Sequence, residues 1–266
     1  MQLTCGSFSN KVNMFRGFNL TLKNNDVLYY YKHGTSLYES YKDVIINKIS
    51  SFVDYDGSLN ADKMKTNWFP KVKADIFLSH SHKDEKFAIS LAGWFYHIFG
   101  LTTFIDSCIW GYADELLQMI DDKYCLNSNK ETYNYKKRNY STSHIHMMLS
   151  TALTMMIDKT ECLIFLNTPN SITPHKTITD KNGTYSPWIY SEIAISQLIR
   201  KKSLNEHRGI LKKADALFSE SQLKIKYGID LSHLYDINID TLNQWKKKAD
   251  TFNHDYPLDI LYDICS

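Results

Sequence analysis

Two histidines and a carboxylate stand at alternate positions in "DIFLSHSHKDE", directly after an apolar run: His80, His82 and Asp84. Imidazole and carboxylate are ordinary zinc ligands, and a metal held by such groups activates water for hydrolysis. A second possibility needs no metal. Ser81 precedes Asp84 by three residues, a capping-box spacing that starts a helix at His82. The free N–H groups of such a helix start attract anions. A third reading leaves both histidines as exposed polar residues with no ligand. Further along, Trp188 and Glu192 are four residues apart, so on a helix an indole and a carboxylate share one face. That pair is either a binding surface or a core tryptophan beside a solvated acid.

The metal reading meets two obstacles. A dinuclear site of the metallo-β-lactamase kind wants His-x-His-x-Asp-His, and the sixth position here is Glu85. His144 and His146 lie downstream, but inside a predicted helix, where an i, i+2 spacing points them to different faces.

The elements that must position these residues alternate from residue 73 onward. "ADIFLS" (74–79) is a short apolar run, as in a strand buried on both faces. Phe87, Ala88, Leu91, Phe95 and Ile98 line one face of the helix that follows, and Gly100 stops it. "LTTFID" (101–106) is a second strand, "YADELLQMIDDKY" a helix, and "CLNSNKETYNYKKRNYSTS" (125–143) an insertion or loop. "HIHMMLSTALTMMID" reads as a helix leading into the strand "ECLIFLNT" (161–168). Ser186 and Pro187 open another helix, with proline where its missing N–H costs little. "LKIKYGI" (223–229) is a possible last strand, and two terminal helices follow. Before residue 73, "DVLYYYKHG" reads as a strand ending at Gly34 and "SLYESYKDVIINKISSFV" as an amphipathic helix. The expected fold is α/β, a parallel sheet with helices on both faces and N- and C-terminal mainly helical extensions. Its boundaries are 1–72, 73–235 and 236–266. Ligands of such sheets sit at the carboxyl ends of the strands.

Bulk properties exclude little. A net charge of +2 on 266 residues gives no sign of nucleic acid or of an acidic membrane surface. Five cysteines, with no C-x-x-C pair, fit a reducing compartment better than a disulfide framework. No signal peptide and no apolar run of ~18 residues is found, so the expectation is a cytoplasmic protein.

Taken in order, "DIFLSHSHKDE", "TFID" and "SPWIYSEI" resemble a Toll/interleukin-1 receptor (TIR) domain over residues 73–235, about three fifths of the chain. The resemblance implies a flavodoxin-like sheet. It implies a mobile segment, the BB loop, at "SCIWGY" after the second strand. In NAD-cleaving members it also implies a catalytic glutamate in a Trp-x-x-x-Glu motif, which falls on Glu192 with Trp188 beside it. Cleavage suits one carboxylate, because the nicotinamide leaving group already carries positive charge and needs no strong acid. What the enzyme supplies is stabilisation of the oxocarbenium-like transition state and a grip on the ribose. Ser79, His80, Ser81 and Lys83 would then surround the diphosphate or ribose, and Asp106 would face the same crevice. Trp110 and Tyr112 would offer flat faces to a base.

The loop lacks the proline common in receptor-type members, which weighs against a receptor-adaptor role. The stand-alone organisation resembles the bacterial antiphage group of the Thoeris type. That implies NAD as substrate rather than cofactor, self-association, and a separate effector reached through an ADP-ribose-derived signal. Two other readings stay open: a TIR scaffold that signals by assembly alone, and the hydrolase built on His80, His82 and Asp84.

Overall fold

Strands with no polar face need cover on both sides, and in the fold every side chain of Ile76–Ser79 and Cys162–Leu166 is buried. A computed structural model describes residues 16–23, 26–42, 49–68, 73–172, 183–199, 227–228, 230–251 and 256–265. In chain order the elements are β1 (Arg16–Thr21), α1 (Tyr31–Lys42), α2 (Ala61–Trp68), β2 (Ile76–Ser79), α3 (Glu85–Phe99), β3 (Thr103–Ile105) and α4 (Ser107–Ile120). They continue with α5 (Tyr135–Lys159), β4 (Cys162–Leu166), β5 (Gly183–Thr184), α6 (Pro187–Leu198), β6 (Tyr227–Gly228), β7 (Tyr235–Asn238), α7 (Ile239–Thr251) and α8 (Pro257–Ile264). Five strands form one parallel sheet in the order β3-β2-β4-β1-β7. β5 and β6 form a separate antiparallel pair.

Period-two alternation divides the sheet's side chains between two cores. Phe77, Phe104, Leu163 and Phe165 face α2, α4, α5 and α6. Ile76, Leu78, Ile105, Ile164 and Leu166, with Phe18 and Leu20, face α3, α7 and α8. α5 shows how the sequence sets such a face. Ser141, Ile145, Leu149, Ala152 and Met156 recur at helical spacing and are buried, and the Asn134 side chain caps the start by accepting from Lys137 N–H. α1 and α3 touch backbone to backbone. A Cβ on Gly34 would fall 1.8 Å from the Ile89 carbonyl oxygen, and one on Gly93 2.3 Å from that of Tyr30.

The α/β class is as expected, with helices on both faces of a parallel sheet. Several details differ. Residues 16–21, expected in a mainly helical extension, form a strand between β4 and β7 inside the sheet. At the other end β7 joins the sheet, and α7 and α8 bury Leu242, Trp245, Leu258 and Leu261 in the core rather than forming an appendage. Of "LKIKYGI", Tyr227–Gly228 pair with β5 and not with the large sheet, and the rest lies outside the described residues. "DVLYYYKHG" is a 3-10 turn running into α1, not a strand. The stretch 125–143 is only partly a loop, because α5 begins at Tyr135.

Among the described residues no helix is long and apolar enough to cross a membrane.

Candidate functional site

β2 sits between β3 and β4, and the chain leaves it on one side and returns on the other. Parallel sheets leave a crevice at the carboxyl ends of the strands at such a reversal. β2 delivers Ser79 and His80 there, and β3 delivers Asp106. α6 brings Glu192 over the same edge. Its start is set locally: Ser186 accepts from Ile189 N–H and proline occupies the first turn.

These four side chains form one buried cluster. Glu192 is 0% exposed, and its Oε2 accepts a hydrogen bond from Ser79 Oγ at 2.6 Å. His80 Nδ1 lies 2.6 Å from Asp106 Oδ1, an ion-pair contact whose N–H is not well aligned. The same Oδ1 accepts from the backbone N–H of Ser107 at 2.9 Å, which caps α4.

Burial pushes the Glu192 carboxyl well above the usual range, and the Asp106 charge adds to this while the Ser79 hydroxyl acts against it. For His80, burial alone would favour the neutral ring. The charge and contact of Asp106, helped by the Leu78 carbonyl, outweigh it and raise the imidazole pKa. Burial thus favours the protonated form of Glu192, while the contact with Asp106 favours the protonated imidazole of His80.

Above the cluster opens a crevice of about 240 Å³, lined by His80, His82, Asp106, Ser107, Asp114, Ser186 and Trp188. Trp188 is half-buried and meets the His146 ring edge-on, with centroids 5.8 Å apart. Glu192 lies behind this lining rather than in it. The crevice presents an indole on one wall and the His80–Asp106 pair on its floor.

The remaining expected residues are distributed less favourably. Ser81 is buried and Lys83 exposed, and neither lines the crevice. "SCIWGY" is not a loop: its residues form the first turns of α4, because the Asp106 cap starts the helix at Ser107. The side chains of Trp110 and Tyr112 lie outside the described residues. The helix expected at His82 starts at Glu85 after a 3-10 turn, and Ser81 makes no side-chain cap.

The supposed metal ligands are divided. His80 engages Asp106, whereas Asp84 accepts from Thr168 Oγ1 at 2.5 Å and Asn170 Nδ2 at 2.7 Å, tying the two strand-end loops together. Among the described residues no three of His, Cys, Asp and Glu are placed to hold a metal ion. Ser107 and Asp114 were missed from sequence. The available signal was that Asp114 lies two helical turns beyond Asp106, on the face that the cap directs at the crevice. Compared with known proteins, the chain matches no family model, no curated protein and no solved structure.

Proposed function

We propose that the protein is a TIR-type enzyme that cleaves the nicotinamide–ribose bond of NAD, with Glu192 as the catalytic acid group. The observation that carries this reading is the convergence of Glu192, Ser79, His80 and Asp106 from three separate elements under a crevice walled by Trp188. The strand order β3-β2-β4 at that edge supports a flavodoxin-like core, with β1 serving as the next strand.

In this reading the nicotinamide ring stacks on Trp188 and the ribose lies against Asp106, with Glu192 behind it in the cluster. The C1′–N bond breaks with both electrons passing to the pyridine nitrogen, so nicotinamide leaves neutral and no proton is donated to it. Glu192 gives up its proton to solvent as the cationic substrate enters, and its carboxylate, with Asp106 beside it, stabilises the developing positive charge at C1′. Water, or another hydroxyl or ring nitrogen, adds to C1′ and passes its proton to that cluster. His80 holds Asp106 in place throughout as its ionic partner.

A crevice of about 240 Å³ takes only part of a dinucleotide. The resemblance supplies the complement: subunits associate, and a second copy closes over the remainder. It also supplies the wider role, an ADP-ribose-derived signal for a separate effector in antiphage defence. The test is chromatography of NAD incubated with purified protein, with mass spectrometry of the product. Nicotinamide release is expected, rising more steeply than linearly with protein concentration. Glu192→Gln should reduce it by about 10²–10³-fold with the fold retained. Full turnover by that variant would overturn the assignment, and assembly without any nicotinamide release would favour a scaffold.

A further inference from the structure

A second cleft, of about 900 Å³, shares no lining residue with the crevice. Its floor is apolar, made by Leu59, Met64, Ile120, Ile145 and Met148. Its rim is different in kind. Lys136 and Lys137 stand on the first turn of α5, are exposed, and have no ion-pair partner among the described residues. That turn carries no acidic residue, so two ammonium groups sit at the positive end of a 25-residue helix, and the carboxylate of Asp121 nearby is engaged by Arg138. Tyr140, also on the rim, is 70% exposed and meets the His144 ring edge-on at 4.3 Å.

One wall is preorganised. The π-helical turn Asp121–Cys125 follows α4, and such turns recur at functional sites. Asp121 is buried and accepts from Ser141 Oγ at 2.5 Å and Arg138 Nε at 3.0 Å, which clamps the turn to α5. Arg138 is thereby occupied, and the two lysines beside it are left facing the opening.

We propose that this cleft binds a small organic anion with a flat apolar body, its ring against the Leu59–Met148 floor and its charge on Lys136 and Lys137. An apolar floor selects for buried surface, and paired cations at a helix start select for a carboxylate, sulfonate or phosphate. The inference does not depend on the nicotinamide chemistry.

The test titrates the full chain with the sulfonate dye 8-anilinonaphthalene-1-sulfonate and with its uncharged relative N-phenyl-1-naphthylamine, following dye fluorescence. Saturable one-to-one binding of the sulfonate is expected, about tenfold or more tighter than that of the neutral dye. The pair Lys136→Glu and Lys137→Glu should weaken sulfonate binding by about tenfold or more and leave the neutral dye nearly unchanged. Lys247→Glu with Lys248→Glu, on exposed α7 positions away from the cleft, should change neither. Ala61→Trp, which fills the cleft from its edge, should block both dyes. Circular dichroism checks each fold, and Lys136→Gln with Lys137→Gln serves if the glutamates unfold the chain. Absence of saturable binding, equal affinity for the two dyes, or indifference to the lysine substitutions would each overturn the proposal.

Discussion

Replacing Glu192 with glutamine should change how stability depends on pH, and the size of the effect follows from a proton count. In the folded chain the carboxyl is wholly buried, and that burial, with the Asp106 charge beside it, holds its pKa well above 4.5. In the unfolded chain it ionises near that ordinary value. Between the two values the native state keeps a proton that the unfolded state has lost. Stability therefore falls as pH rises, by about 1.4 kcal/mol per pH unit from this group alone. Glutamine carries no such proton. Above about pH 5 the unsubstituted chain should therefore lose stability that the variant keeps, until the folded pKa is passed. Urea unfolding at a series of pH values, followed by tryptophan fluorescence, measures the difference. His80, also raised above 6.5, adds a loss of the same sign at higher pH. It is present in both proteins, so the difference isolates Glu192, and the pH at which it levels off reports the folded pKa. Parallel stability curves would mean that Glu192 is already ionised in the native chain and would refute the protonated-acid description.

Three further outcomes follow from the packing. Asp106→Asn leaves a buried imidazole without its anion and should cost about 3–5 kcal/mol by urea unfolding, with a lowered His80 pKa visible by NMR. Gly93→Ala places a methyl 2.3 Å from the Tyr30 carbonyl oxygen and should destabilise the α1–α3 contact by about 1–3 kcal/mol, read as a lower Tm. Removing residues 1–22 takes an interior strand from the sheet, and the truncated chain should lack a cooperative unfolding transition by circular dichroism.

What the sequence disclosed, and what it hid, divides along the range of the interactions. β2 and β4 were legible because their runs are almost wholly apolar, and the starts and stops at Ser186, Pro187 and Gly100 were legible because caps are local chemistry. β1 was not. "RGFNLT" holds a glycine and an asparagine, and Asn19 finds its partners far along the chain, in Asp236 on β7 and Asn167 just beyond β4, at 2.7 and 3.0 Å. α1 read as a strand because the helix that needs Gly34 to be small is α3, more than fifty residues away. "SCIWGY" was expected to be a loop because the resemblance places a mobile segment there, whereas the Asp106 cap makes it helical. For the site, the Trp188–Glu192 spacing was visible, but the burial of Glu192 was not. Its hydroxyl donor is Ser79, on another element, and no local pattern reports that meeting.

The place of β1 has a consequence for synthesis. Its residues leave the ribosome before those of the sheet's other strands, and their two neighbours, β4 and β7, follow by well over a hundred positions. At about 5–20 residues per second, Phe18 and Leu20 wait many seconds in an incomplete nascent chain, with their apolar faces and backbone edges unpaired. Closing so long a loop slows folding, and the waiting segment is open to association with other chains or to capture by a chaperone. Yield in cells should accordingly depend more on what accompanies translation than on the equilibrium stability of the finished sheet.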